Sequence, residues 1–352
     1  MPERIAAPNL AKTYQRAAEQ FGDSPAFASR QRSGDYESVS FRQLYHDGCA
    51  LATALIDLGL EQCEHVGLVA DNRYEWILSD YAVILAGCAD VPRATDITEA
   101  EMQYILDHSD ARFVIVETAG ALAALQRIRK QLPKIKFVIV IDDIEDRPAD
   151  VLLLSDVVAK GRELRKSGDE RVEARIEAIK PEDLFTIIYT SGTTGTPKGV
   201  QLTHSNMVSQ VRNLPFQIHH KERTLSILPV WHSYERVFEM VAIASGACTY
   251  YTSIRTFGED LRHVKPNMMA SAPRLWESLH SRIVAKVRKS SPVKRTLFNA
   301  AVFCNRRVRM AELFFAGKQL DVKGRKLPQN IALAAFHLIR FIVCLIPARL
   351  LD

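Results

Sequence analysis

The run Tyr189-Thr-Ser-Gly-Thr-Thr-Gly-Thr-Pro-Lys-Gly-Val200 packs a series of hydroxyl side chains, three glycines and one lysine into twelve residues. Glycines let the backbone approach a ligand closely and adopt positive φ. Hydroxyls and free backbone N–H groups donate to phosphate oxygens. Lys198 adds a compact positive charge. Together these groups have the chemistry of a polyphosphate cradle. It is not a Walker A loop, which requires G-x-x-x-x-G-K-[ST], because Pro197 precedes the lysine and Gly199 and Val200 follow it. Nor is Ser191 a nucleophile on a strained elbow, since G-x-S-x-G is absent.

Such a loop needs elements that hold it. Short apolar runs at 65–70, 112–117 and 137–141 read as buried strands, and 75–87, 99–108 and 121–131 as helices, with Gly87 able to close the first. Strand alternating with helix predicts βαβ units and a mainly parallel α/β sheet. Residues 160–180 are dense in charge, with Val172, Ile176 and Ile179 at i, i+4, i+7, which predicts one amphipathic surface helix. Pro181 follows. The expected division is a first lobe at 1–180 and a second at 181–352. The second begins with a strand at 184–189, then the loop, then a helix at 205–213. Strands are expected at 224–228, 248–252 and 267–271, with a helix at 235–245 and another starting at Pro273. A single core stops growing near about 250–300 residues, so two lobes suit a chain of 352.

The run at 189–200, continued by Leu202-Thr-His-Ser-Asn206, resembles the signature loop of the adenylate-forming superfamily: acyl-CoA synthetases, luciferases and peptide-synthetase adenylation domains. Three further stretches resemble its long-chain fatty-acid branch. They are Leu228-Pro-Val-Trp-His-Ser-Tyr-Glu-Arg236, Ala272-Pro-Arg-Leu-Trp-Glu277, and Asp71-Asn-Arg-Tyr-Glu-Trp76 with Asp90-Val-Pro-Arg-Ala-Thr-Asp96. The resemblance runs from about residue 10 to the C-terminus and is weakest after Lys289. It implies the parallel-sheet-rich, layered lobes of the large N-terminal domain of an acyl-CoA synthetase, incomplete and without the C-terminal domain.

By that resemblance Thr190, Ser191, Gly192, Thr193, Thr194, Gly195 and Lys198 hold ATP phosphates, Thr193 contacts Mg2+, and His232 lies at the wall of the acyl and adenylate pocket. Lys198 and His232 are the expected catalytic residues. The alternative for His232 is a turn histidine that caps the next helix. Trp231 reads equally as tunnel wall or core, Trp276 as core, and Arg274 as an anion contact or an ordinary surface residue. His219 and His220 are adjacent and read as solvated loop. The implied reaction is attack of a long-chain fatty acid on the α-phosphorus of ATP, then transfer of the acyl group to coenzyme A or, alternatively, to acyl carrier protein. The family's G-Y-G-x-T-E, Y-x-T-G-D and P-K-T-x-x-G-K segments are not found among the 352 residues. Little or no ligase activity is therefore expected of this chain alone. A separate chain carrying those segments is one expected partner, and a non-catalytic ATP- or acyl-binding remnant is the other reading.

The composition is ordinary for an α/β protein, at 47% hydrophobic and 25% charged. Six scattered cysteines form no metal-site spacing and read as reduced thiols in the cytoplasm. The first 27 residues lack an apolar core like that of a signal peptide. The net charge of +5 hides an asymmetry, because residues 282–326 carry thirteen Lys or Arg against Glu312 and Asp321. The apolar run at 330–347, interrupted by His337 and Arg340, reads as a core helix or an interfacial helix of the tail at 282–352. Basic residues beside an apolar helix suit an anionic membrane surface, so peripheral contact on the inner face of the membrane is expected. No nucleic acid is expected, since no recognised binding motif accompanies the charge.

Overall fold

The computed structural model describes residues 4–5, 7–31, 33–190, 196–316 and 336–338. Its strands are β1 (Pro25–Arg30), β2 (Tyr36–Ser40), β3 (His65–Val69), β4 (Ala89–Arg93), β5 (Ala111–Val116), β6 (Phe137–Val140), β7 (Val151–Leu153), β8 (Leu184–Thr190), β9 (Lys198–Thr203), β10 (Arg223–Ser226) and β11 (Cys248–Tyr251). Its helices are α1 (Leu10–Phe21), α2 (Phe41–Asp57), α3 (Tyr74–Leu85), α4 (Glu99–His108), α5 (Ala119–Ile128), α6 (Leu154–Lys166), α7 (Arg171–Ala178), α8 (His204–Asn213), α9 (Ser233–Ser245), α10 (Phe257–Val264), α11 (Pro273–Arg288) and α12 (Pro292–Phe315).

The large sheet has the order β7-β6-β5-β3-β4-β8-β9. Every pairing in it is parallel except that of β8 with β9. Both faces are covered, which is why the strands read as continuous apolar runs. Val114, Val116, Val138 and Val140 face Met102 and Leu106 of α4 and Leu122 and Leu125 of α5. Their alternates Phe113, Ile115 and Ile139 join the core formed with α2, α3 and α6. A second sheet, β10-β11-β1-β2, shares that core through Ala26, Phe27 and Tyr251. Helix α3 touches strands of both sheets.

The division expected at residue 180 is not where the structure divides. The compact units are Met1–Ser271 and Ala272–Asp352. The reason lies in strand pairing. β8 pairs with β4 through Asp90 and Thr186, extending the first sheet across the expected boundary. β1 pairs in parallel with β11, so the N-terminal segment completes a sheet whose other strands come after residue 220. The charged stretch at 160–180 is two helices rather than one, broken where Gly168 takes φ 92° between α6 and α7. Val172, Ile176 and Ile179 are buried as expected. The strand expected at 267–271 is reduced to one parallel bridge between Thr224 and Met268.

In the second unit α11 starts at Pro273 as expected, and α12 is capped by Ser291, whose side chain accepts from the Lys294 N–H. Trp276, expected in the core, is 46% exposed on α11. The apolar run at 330–347 lies outside the described residues apart from 336–338, so its reading as a core or interfacial helix is left there. No described helix is long and apolar enough to cross a membrane.

The α2–α6 contact depends on Gly161. A Cβ there would fall 1.8 Å from the carbonyl oxygen of Ala50. Gly161→Ala must therefore push two backbones apart, at a cost of about 1–3 kcal/mol. Gly258→Ala in α10, where a Cβ meets nothing within 4 Å, is the control. Urea unfolding is expected to show a lower midpoint for the first variant only. Equal midpoints would contradict the close approach.

Candidate active site

The parallel strands of the large sheet end on one edge, where open α/β sheets bind ligands. β8 ends there at Thr190. The chain returns as β9, with Thr190 paired to Lys198 and Tyr189 to Gly199. Seven residues, 191–197, lie between these paired ends. Ser191, Gly192, Thr193, Thr194 and Gly195 are outside the described residues, so the geometry concerns what holds their ends. Arg93, the last residue of β4, donates from Nη1 to the Tyr189 carbonyl at 3.1 Å. Tyr104 of α4 donates its hydroxyl to the Pro197 carbonyl at 3.2 Å. The Tyr189 hydroxyl lies 2.7 Å from Nδ1 of His108, and burial pushes its pKa up to about 12. Gly199 carries no side chain because a Cβ would fall 2.9 Å from Ile187 Cγ2 and 3.1 Å from the Tyr189 ring. Strand β9 then enters α8 through a reciprocal cap. Thr203 Oγ1 accepts from the Asn206 N–H at 3.3 Å, and Asn206 Oδ1 accepts from the Thr203 N–H at 3.1 Å. The resemblance noted for residues 202–206 therefore has a structural cause.

Thr190 and Lys198 are both exposed at this mouth. Among the described residues no acid pairs with Lys198. Lys198, next in sequence to a segment rich in glycine and hydroxyl side chains, has the charge to meet an anionic group. No group of three His, Cys, Asp or Glu suited to a metal is found among the described residues.

His232 opens α9. It occupies the N-cap position but its side chain makes no cap hydrogen bond, which removes the helix-capping alternative. The imidazole is exposed. Its turn is fixed from below by Asn72, which follows β3. Asn72 Nδ2 donates to the Leu228 carbonyl at 2.8 Å, and its Oδ1 accepts from the Val230 N–H at 3.1 Å. Trp231 is half-buried against the core. An apolar groove of 380 Å³ between α8 and α9 is lined by Phe185, Met207, Leu214, Phe216 and Phe238, and by Ser233 and Tyr234 next to His232.

The structure joins Thr190 and Lys198 directly across the hairpin. It joins His232 to them only through the scaffold, by a residue that was quoted from the sequence without a role. Arg236, one turn into α9, has no exposed surface. Its Nη1 donates to Thr186 Oγ1 on β8 at 2.8 Å and to Asp90 Oδ1 on β4 at 3.0 Å, and its Nη2 donates to Asp80 Oδ1 on α3. The guanidinium lies 5.4 Å from the Trp76 ring and 5.0 Å from that of Phe185. Burial would lower its pKa, but Asp80 and Asp90 outweigh that and hold it above the usual arginine value. The signal was present in the sequence: an aspartate inside an apolar helix, another inside an apolar strand, and an arginine inside an apolar helix. Charges buried in this way are almost always paired. Other side-chain readings also shift. His220 is not simply solvated, since its Nε2 lies 3.0 Å from Ser24 Oγ and its ring stacks on Phe21. Arg274 is exposed on α11.

Behind Arg236, Glu235 and Glu239 lie buried on α9 one turn apart. Glu239 Oε1 accepts from Ser226 Oγ at 3.0 Å, while its Oε2 and both Glu235 oxygens have no hydrogen-bond partner among the described residues. Burial pushes the Glu239 carboxyl up to about 8, and burial followed by the neighbouring Glu239 raises Glu235. The folded state therefore holds a proton on Glu239 that the unfolded chain, at 4.5, releases earlier. Its stabilising contribution is fully present below about 4.5 and is lost as pH rises through about 8. Urea unfolding from pH 5 to 8.5 is expected to show wild type losing stability relative to Glu239→Gln, by up to about 1.4 kcal/mol per pH unit. Parallel curves would contradict the buried protonated carboxyl.

Comparison with known proteins bears on this geometry. The chain is 29% identical over 296 residues to a long-chain-fatty-acid–[acyl-carrier-protein] ligase of Arabidopsis thaliana, covering 81% of this chain and 40% of that protein. It is 28% identical over 297 residues to the long-chain-fatty-acid–CoA ligase ACSBG2 of Xenopus laevis, again over 81% and 40%. It thus spans about 40% of the length of these curated relatives. The crystal structure of a long-chain-fatty-acid-CoA ligase from Archaeoglobus fulgidus shares the fold, with TM-score 0.66 and 24% identity over 82% of this chain and 56% of that one. A model of the family described as AMP-binding enzyme matches residues 14–322. With its glycine-rich sequence between β8 and β9 and its largely parallel sheet, the chain belongs to the AMP-binding enzyme family.

Proposed function

We propose that this chain carries the phosphate- and acyl-binding part of an enzyme that activates a long-chain fatty acid with ATP, through an acyl-adenylate, to acyl-CoA. One observation carries the reading. An exposed lysine with no acidic partner among the described residues, Lys198, stands at the mouth of the β8–β9 hairpin in a chain that also holds an apolar groove beside His232. The groove's 380 Å³ falls in the range of small-molecule sites. The names of the two relatives support the substrate class.

In the proposed reaction a carboxylate oxygen forms a bond to the α-phosphorus and the bond to pyrophosphate breaks. A thiolate then attacks the acyl carbon and AMP leaves. Two anions must meet in the first step, so fixed positive charge and oriented donors carry most of the work. Lys198 supplies the charge, and Thr190, Ser191, Gly192, Thr193, Thr194 and Gly195 the donors. His232, next to the groove-lining Ser233 and Tyr234, is the proposed contact for the carboxylate end of the acid. Thr193 is the residue of this chain that would hold Mg2+, which would supply further positive charge against the phosphates. Coenzyme A is the proposed acceptor. Acyl carrier protein is the second reading, favoured by the name of the Arabidopsis relative. The proposed setting is the cytoplasm, with peripheral contact at the inner face of the membrane. The proposed protein partner is a segment carrying the glutamate, aspartate and lysine motifs that these residues do not contain.

Two measurements test this reading. Displacement of a fluorescent long-chain fatty acid by unlabelled C16 acid, but not by acetate, is expected of the chain as it stands. Failure to bind either long-chain acid would overturn the acyl assignment. ATP–pyrophosphate exchange with C16 acid is expected to stay at the level of Lys198→Ala. Exchange well above that control would show that the 352 residues suffice for adenylation.

A further inference from the structure

Helix α12 is built against the usual rule. Its buried face carries small or medium side chains, Ala301, Val308 and Ala311. The opposite face, at i, i+3, i+4, i+7, carries Phe303, Arg306, Arg307 and Met310. Phe303 is 53% and Met310 42% exposed, and Val302 beside them is exposed too. A helix whose only task is to pack would turn its phenylalanine inward. Large apolar side chains gathered on an exposed face mark a surface that meets something else.

The charge says what that partner is. The described part of this unit, 272–316 with 336–338, has ten Lys or Arg against Glu277 and Glu312. Among the described residues only Arg309 of these cations has an acidic partner, Glu312 at 2.9 Å. The Arg307 guanidinium lies 3.8 Å from the centre of the Phe303 ring, so cation and aromatic present one surface. A polyanion such as DNA would use the cations and leave the exposed Phe303, Val302 and Met310 without a role. A bilayer with anionic headgroups uses both, taking the apolar side chains into the headgroup–acyl boundary and pairing the arginines with phosphates.

We propose that the outer face of α12, centred on Phe303, Arg306, Arg307 and Met310, docks on an anionic phospholipid bilayer. This deepens the membrane-contact part of the functional reading. It does not depend on nucleotide binding or ligase activity, so either can fail without the other. The surface would hold the chain where a long-chain fatty acid is concentrated.

The test is flotation of the 352-residue chain with phosphatidylcholine vesicles, with and without phosphatidylglycerol, at low and high salt. Binding is expected only with phosphatidylglycerol, and weaker at high salt. Arg306→Glu with Arg307→Glu, and separately Phe303→Ser with Met310→Ser, are each expected to cut partitioning at least tenfold with an unchanged unfolding midpoint. The arginine pair is on the surface and keeps the test open if the apolar pair disturbs folding. Lack of flotation, or flotation that ignores both pairs, overturns the proposal. So does salt-sensitive binding to duplex DNA without vesicle binding. Self-association that Phe303→Ser abolishes, again without vesicle binding, would assign the face to a second copy instead.

Discussion

The Arg236 guanidinium, held between Asp80 and Asp90 with no exposed surface, fixes the relation of the elements that carry the site. It joins α3, β4, β8 and α9 at one point. Burying three charges is expensive, and a well-packed apolar replacement of such a cluster is often no less stable. Removing one partner alone leaves a charge stranded and typically costs about 3–5 kcal/mol. The cluster therefore says less about total stability than about arrangement. The strand ending at Thr190 and the helix opening at His232 can reach the same ligand only if β8 and α9 hold one register. The hydrogen bond from Arg236 to Thr186 sets that register directly.

A second layer of contacts works on the loops. Arg93 and Tyr104 hold the carbonyls of Tyr189 and Pro197, on either side of residues 190–196, and Asn72 holds the turn before His232 by a carbonyl and an N–H. Side chains that grip backbone fix position without restricting which residue the loop presents. Asn72 also reaches Ser226, which donates to Glu239, so the His232 turn connects to the buried carboxyls of α9. The outward side chains Thr190, Lys198 and His232 are exposed while the groups beneath them are buried.

The parallel sheet was readable where burial on both faces produced continuous apolar runs, as in β3, β5 and β6. It was not readable where pairing is remote. Nothing local in β1 announces that it lies beside β11, more than two hundred residues on. The boundary placed at residue 180 failed for that reason, because proline and charge punctuate the chain but do not show which sheet a later strand joins. The segment at 189–200 was legible as a candidate phosphate site from residue types alone, since glycine, hydroxyl and lysine in that order have few other uses. Arg236 was visible only as part of a resemblance. Its role required knowing that Asp80 and Asp90 converge on it. Trp276 misled because an aromatic on an amphipathic helix reads as core, while its helix belongs to a unit that keeps several large apolar side chains outside.

The proposed function rests on a nucleotide-phosphate cradle at residues 190–198 whose positive charge is Lys198. Calorimetric titration of ATP into the 352-residue chain and into Lys198→Ala tests it most directly. One charge-assisted contact to phosphate is worth about 1.5–3 kcal/mol. Measurable ATP binding is expected that weakens roughly tenfold or more in the variant, with an unchanged unfolding midpoint. Equal affinity in the two proteins, or no binding in either, would contradict it.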